Sequence, residues 1–141
     1  MSNHRCTRRI EFDAAHRVMR HESKCKHLHG HRYVLDVTCE ADKLDDIGRV
    51  IDFSVVKTVF GAWVDENLDH GVLLNVADRE LHSYLSGNGH KTYTMEGNPT
   101  AENIAQLAYK VANQHLASHG VRVVHIRCYE TPNCWADWGS A

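Results

Sequence analysis

Only two prolines occur in 141 residues, and proline and glycine nowhere cluster, so no interdomain linker is visible. The chain reads as a single domain over residues 1–141, long enough to bury a core. No stretch reaches the roughly 18 consecutive apolar residues of a membrane-spanning helix, so no membrane partner is expected. Positive charge is not in excess: 16 Lys and Arg face 18 Asp and Glu, a formal net charge of -2. A nucleic-acid partner, which calls for a clustered basic surface, is therefore not expected. The cysteines (Cys6, Cys25, Cys39, Cys128, Cys134) are odd in number and scattered, with no Cys-x-x-Cys pair and no disulfide framework. Met1-Ser2-Asn3-His4-Arg5-Cys6 carries charge with no apolar stretch behind it, unlike a signal peptide. A reducing, cytoplasmic location is the expectation. Repeats and low-complexity tracts are also missing. What the chain has in excess is histidine, 12 residues.

That excess concentrates in Cys25-Lys26-His27-Leu28-His29-Gly30-His31, just upstream of a segment patterned as a strand. On a strand, alternate side chains share a face, so His29 and His31 point the same way with only Gly30 between them. A third imidazole from elsewhere, best His16 in Phe12-Asp13-Ala14-Ala15-His16, would complete a three-histidine site. Such a set leaves one tetrahedral position of Zn²⁺ open, the arrangement of a catalytic metal. Cys25 is then a reacting thiol beside the metal, its pKa lowered by the cation, Lys24 and Lys26. The competing readings are a solvated histidine loop and a cysteine that merely packs. His27 is the rival ligand.

Alternation predicts a first strand over Thr7–Phe12 and a second over Arg32–Glu40, with Tyr33, Leu35, Val37 and Cys39 on one face. Helical spacing follows from Ser54 to about Leu68, with Asp52 or Ser54 as cap and Gly71 able to end the segment. Arg79 to Asn98, with Gly87-Asn88-Gly89 at its tip, reads as an extended loop or loose hairpin. Thr100 caps a second helix, with Ile104, Leu107, Ala108, Val111 and Leu116 as its apolar face, ending near Gly120. Strands over Val121–Tyr129 and Trp135–Trp138 close the chain. This order predicts an α+β fold: an antiparallel four-stranded sheet carrying two helices on one face, with two sheet edges to cover.

Two further groups carry chemistry. Asp69-His70 fits a carboxylate–imidazole relay, or an aspartate that orients only its own loop. Glu130 ends a strand, where it either accepts two hydrogen bonds from a planar amidine-like edge or is simply solvated.

Six motifs in order resemble the 6-pyruvoyltetrahydropterin synthase family. They are Phe12-Asp13-Ala14-Ala15-His16, Cys25-x-x-x-His29-Gly30-His31, Ile51-Asp52-Phe53, Leu68-Asp69-His70, Asn98-Pro99-Thr100-x-Glu102-Asn103 and Glu130-Thr131. The resemblance runs from about Thr7 to Trp138. Three residues between Cys25 and His29, and the ending Glu130-Thr131-Pro132-Asn133-Cys134-Trp135, look like the bacterial branch that forms 6-carboxytetrahydropterin for queuosine (7-deazaguanine) biosynthesis. The segment Arg79–Asn98 departs from the family by its length.

The resemblance implies a tunnelling fold (T-fold) whose subunit sheets join in a barrel, as a trimer or a hexamer of two stacked trimers. It implies zinc-dependent conversion of 7,8-dihydroneopterin triphosphate to 6-carboxy-5,6,7,8-tetrahydropterin with release of acetaldehyde and triphosphate. His16, His29 and His31 would hold Zn²⁺, Cys25 would act as base, Asp69 and His70 as relay, and Glu130 as pterin anchor. Thr100 and Glu102 would line the pocket or, equally, only start the helix. Two alternatives stay open: formation of 6-pyruvoyltetrahydropterin at the same site, and a non-catalytic pterin- or metal-binding module.

Overall fold

The computed structural model describes residues 4–140; Met1–Asn3, part of the segment compared above with a signal peptide, lie outside the described residues. Strand β1 (Arg5–His16) and strand β2 (His29–Glu40) form an antiparallel pair, each longer than alternation predicts. His29 and His31 are thus inside a strand, not ahead of one, and His16 is the last residue of its partner. β2 pairs antiparallel with β5 (Arg122–Thr131), and β5 with β6 (Cys134–Gly139).

The α+β class stands, but the sheet is larger than the four antiparallel strands expected. Two short strands, β3 (Gly71–Asn75) and β4 (Thr92–Met95), add in parallel beyond β1, giving the order β4-β3-β1-β2-β5-β6. Gly71 begins β3 and does not terminate the helix before it. The segment that reads as a loop contains helix α3 (Arg79–Gly87) followed by β4. Of the helix's residues only Leu85 is buried, so its apolar periodicity is too thin to read from sequence.

The first helical stretch runs as α1 (Phe53–Val56), a wide π turn (Lys57–Gly61) and α2 (Ala62–Asn67). The Asp52 carboxylate accepts the Ser54 N–H, so Asp52 is the cap. Helix α4 (Ala101–Leu116) starts at Thr100, whose hydroxyl accepts the Asn103 N–H, and Gly120 turns the chain at φ 75°.

Core and site share one sheet face. Ile10, Phe12 and Ala14 of β1, Tyr33, Leu35 and Val37 of β2, and Ile126 and Cys128 of β5 are buried with Phe60 and Val64 and with Ile104 and Ala108 of α4. Each large side chain so removed from water contributes about 2 kcal/mol. On the opposite face, cross-strand partners Arg9, Asp36, Arg127 and Asp137 form a row of alternating sign. Arg9 makes a two-pronged ion pair with Asp36, and Arg127 pairs with Asp137. Among the described residues no helix is long and apolar enough to cross a membrane.

Candidate metal centre and catalytic groups

Register builds the site. His16 stands opposite His29, and His31 opposite Ala14, so the three imidazoles share the core face at one end of the β1–β2 ladder. Their ligand atoms all lie within 4.8 Å of one another. A carbonyl can only accept, which fixes two tautomers: His16 Nδ1 donates to the Pro99 oxygen at 2.7 Å, and His29 Nδ1 to the His27 oxygen at 2.6 Å. The Nε2 atoms of His16 and His29, 3.1 Å apart, are then both lone-pair atoms facing each other. His31 Nε2 is buried with no hydrogen-bond partner among the described residues. Two opposed lone pairs and one orphaned ring nitrogen are unfavourable as they stand and become favourable around a cation. Zinc needs neighbouring ligand nitrogens about 3.4 Å apart, so the donor set fits it, with carbonyls orienting the rings behind. Burial holds His16 and His31 below the ordinary imidazole pKa, the neutral form a metal requires. His27 enters through its carbonyl, not as a ligand.

Glu130 comes to the same face from β5. A bulge between Tyr129 and Thr131 in the β5–β6 pairing sits at this residue. Its Oε1 lies 3.4 Å from His31 Nε2, and its charge raises the pKa of both His16 and His31 against the effect of burial. Beneath them is Tyr33, a residue the sequence marks only as core. It is fully buried, its ring is 5.6 Å from that of His31 and 5.8 Å from that of His16, and its hydroxyl has no partner among the described residues. Burial pushes that hydroxyl's pKa up, and the charge of Glu130 pushes it further.

Cys25 belongs to the connection between the two strands that carry the triad. The thiol is half-buried, in a one-turn helix Lys24–Lys26 within the β1–β2 connection. The connection is tied back on itself by Val18 N–H to the Cys25 carbonyl at 2.9 Å. It is also tied to Asn98, whose carboxamide holds both backbone groups of Met19. The motif Asn98-Pro99-Thr100-x-Glu102-Asn103 contains Asn98, but the sequence gives no role for its side chain. Arg17 is committed to the buried Asp78 through two 2.6 Å bonds. Cys39 and Cys128 are buried thiols pushed up to about 12, so neither competes with Cys25 as a nucleophile.

Thr100 neighbours the site through Pro99, but its hydroxyl is occupied as the helix cap. Glu102, on the first turn of α4, is exposed, and its charge reaches Cys128. Asp69 and His70 do form the expected pair, His70 Nδ1 donating to Asp69 Oδ2 at 2.8 Å. Among the described residues no hydrogen bond or ring contact joins them to the three imidazoles. Asp69 bonds the Asp13 N–H, and Asp13, like Ala15, points away from the core face. His70 is 77% exposed and lines a shallow concavity of about 310 Å³ with Asp13, Ala15, Gly30 and His31. A concavity of about 560 Å³ between β4, α4 and Trp138 is lined by no candidate residue.

An α+β sheet with three converging imidazoles and a carboxylate on its core face defines a protein with a site able to hold a metal ion beside an acidic group. Residues 5–140 match the model of the 6-pyruvoyl tetrahydropterin synthase family, and the chain belongs to that family. It is 45% identical to a 6-carboxy-5,6,7,8-tetrahydropterin synthase of Rickettsia bellii, the match covering 94% of this chain and 98% of the relative. A second, from Aquifex aeolicus, is 31% identical over 92% of this chain and 93% of its own. An uncharacterised Wolinella succinogenes protein has the same fold at a TM-score of 0.84, with 22% identity and 98% of each chain covered. The 6-pyruvoyl tetrahydropterin synthase of Caenorhabditis elegans superposes at 0.68, with 19% identity, over 97% of this chain and 95% of that one.

Proposed function

We propose that this chain is a zinc-dependent lyase converting 7,8-dihydroneopterin triphosphate and water to 6-carboxy-5,6,7,8-tetrahydropterin, acetaldehyde and triphosphate, in the cytoplasmic route to queuosine. The observation that carries the reading is the convergence of His16, His29 and His31 with Glu130 Oε1 3.4 Å from the third imidazole. Relatives named for this reaction, at up to 45% identity over nearly the whole chain, support it.

Zinc bound by the three imidazoles supplies polarisation of the substrate's side-chain oxygens, which acidifies the adjacent carbon. Cys25 takes the proton. Glu130 receives the planar nitrogen edge of the pterin as a paired acceptor, with Thr100 and Glu102 at the rim. The Asp69 carboxylate fixes the His70 tautomer and supports its ring when charged, so that His70 can pass protons to or from the reacting centre.

The exposed dyad on the far face reaches a substrate only where another copy's triad comes to it. The reading therefore includes a homo-oligomer, trimer or hexamer, with sites shared between subunits. The free edge of β6 and the part of β1 beyond its short pairing with β3 are the strands that such an assembly would join.

Mass analysis of the product formed by purified protein, with metal analysis on the same sample, tests this. Acetaldehyde, a carboxypterin and about one zinc per chain are expected. A pyruvoyl side chain on the product would assign the chain to the triphosphate-eliminating reaction instead, and binding without triphosphate release would make it a non-catalytic module.

A further inference from the structure

Lys91 belongs to the Arg79–Asn98 segment and to no motif quoted above, yet its ammonium reaches back 22 residues to the Asp69 carbonyl at 2.6 Å. A second bond, at 2.9 Å, goes to the carbonyl of Asp65. Both acceptors lie where α2 ends, where carbonyls lack helical partners and partial negative charge collects. The parallel β3–β4 pairing aims the side chain there. Val72 N–H donates to the Lys91 carbonyl at 3.0 Å, and the lysine stem lies over Gly71, where an added Cβ would be 3.4 Å from Lys91 Cγ.

The carbonyl of Asp69 is one end of the peptide that joins Asp69 to His70. The other end, the His70 N–H, donates to the Asp13 carbonyl at 2.6 Å. This peptide is thus held at its oxygen by Lys91 and at its nitrogen by β1. It needs holding: His70 has φ 60°, a left-handed conformation unfavourable for a non-glycine residue. Any change in ψ of Asp69 or φ of His70 that the other does not compensate turns the two side chains relative to each other, and relaxation of φ from its left-handed value is such a change.

We infer that Lys91 is the positioning residue of the Asp69–His70 dyad, fixing the peptide between them so that carboxylate and imidazole stay in hydrogen-bond register. The inference rests on the relay role given to the dyad under Proposed function. It also gives the Arg79–Asn98 segment a use, since the connection between α3 and β4 carries a cation to the back of the relay.

The test compares full-length Lys91→Met, Lys91→Arg, His70→Ala and the double variant Lys91→Met/His70→Ala, measuring kcat, KM for the pterin triphosphate and bound zinc. Lys91→Met keeps the stem over Gly71 and removes the donors. It is expected to lower kcat about tenfold with KM and zinc content unchanged. Lys91→Arg restores most of the rate. In the His70→Ala background, Lys91→Met adds no further loss, because it acts only through the dyad. An equal loss in that background, or a raised KM at unchanged kcat, overturns the inference. So does a normal kcat for Lys91→Met beside an impaired His70→Ala. A His70→Ala variant at full kcat overturns the relay reading itself, and the inference with it. Should Lys91→Met not fold, Lys91→Gln, which keeps a donor without the charge, takes its place under the same criteria.

Discussion

Asn98 grips Met19 by both of its backbone groups: Oδ1 accepts the Met19 N–H at 3.1 Å, and Nδ2 donates to the Met19 carbonyl at 3.0 Å. A side-chain amide here does the work of a neighbouring strand. The same residue accepts from Asn75 Nδ2, and the next carbonyl, of Pro99, fixes His16. One tight turn therefore anchors the loop carrying the thiol, a candidate metal ligand and the start of α4. Asn98→Ala removes the grip but leaves the Pro99 carbonyl in place. Its expected effect is a kcat reduced about tenfold, at unchanged zinc content and a stability lowered by about 3 kcal/mol for three lost hydrogen bonds. Steady-state kinetics, metal analysis and urea unfolding check the three together.

The triad sits at the end of the β1–β2 ladder, while the apolar core lies further along it. Its loss should therefore cost metal before it costs fold. His29→Ala is expected to purify folded with far less than one zinc per chain and no turnover. Chelation of the unaltered protein should lower its melting temperature, since a metal that binds only the native state adds stability in proportion to the logarithm of its concentration. An unchanged melting temperature after complete zinc removal would count against a metal held by these three rings.

Acid should release the metal in a narrow window. Burial places His16 and His31 below the ordinary value near 6.5, so both stay neutral and ligating until the pH drops beneath it. For the metal-free protein the sign is the same. A depressed pKa means the unfolded chain binds protons first, so stability present above about pH 6.5 is lost as the pH falls through the lowered values. Zinc content and melting temperature followed from about pH 8 to about pH 5 should be flat above about pH 6.5 and decline below it.

Sharing of the dyad between copies has a direct assay. Cys25→Ala, inactive alone, and His70→Ala, slowed but still measurable alone, should together exceed the turnover of either when unfolded and refolded as a mixture. Random assortment leaves roughly a quarter of the shared sites with both groups intact. If each site is built within one chain, mixing adds nothing.

The ion pair of Arg17 with Asp78 is structural. Asp78 is 3% exposed and receives both arms of the guanidinium. Arg17→Ala leaves that carboxylate buried without its counter-charge, and the expected loss is about 2 kcal/mol, discounted because Arg17 is itself a third exposed. Denaturant midpoints for Arg17→Ala and Asp78→Asn measure it.

Alternation in Tyr33, Leu35, Val37 and Cys39 sufficed to place His29 and His31 on the core face, because a strand's period leaves no other choice. Thr100 announced α4 for an equally local reason, the demand for an oxygen at a helix start. The rest depended on partners distant in sequence. Gly71–Asn75 and Thr92–Met95 are five and four residues long, and their strand character exists only in the parallel ladders they form with each other and, for the first, with β1. Lys91 and Asn98 look like ordinary loop residues until the carbonyls they serve, at Asp69 and Met19, are brought beside them. The separation of Asp69–His70 from the imidazoles was also hidden, since a one-dimensional reading gathers candidate groups without saying which side of a sheet each will face.

The row Arg9, Asp36, Arg127, Asp137 opens on a cation at one flank of the antiparallel strands and closes on an anion at the other. Such a polarity makes the two flanks distinguishable by sign alone. Were identical copies to join strand to strand along this direction, unlike flanks would meet more favourably than like ones, so the same row that ties four strands together also carries a sense of direction.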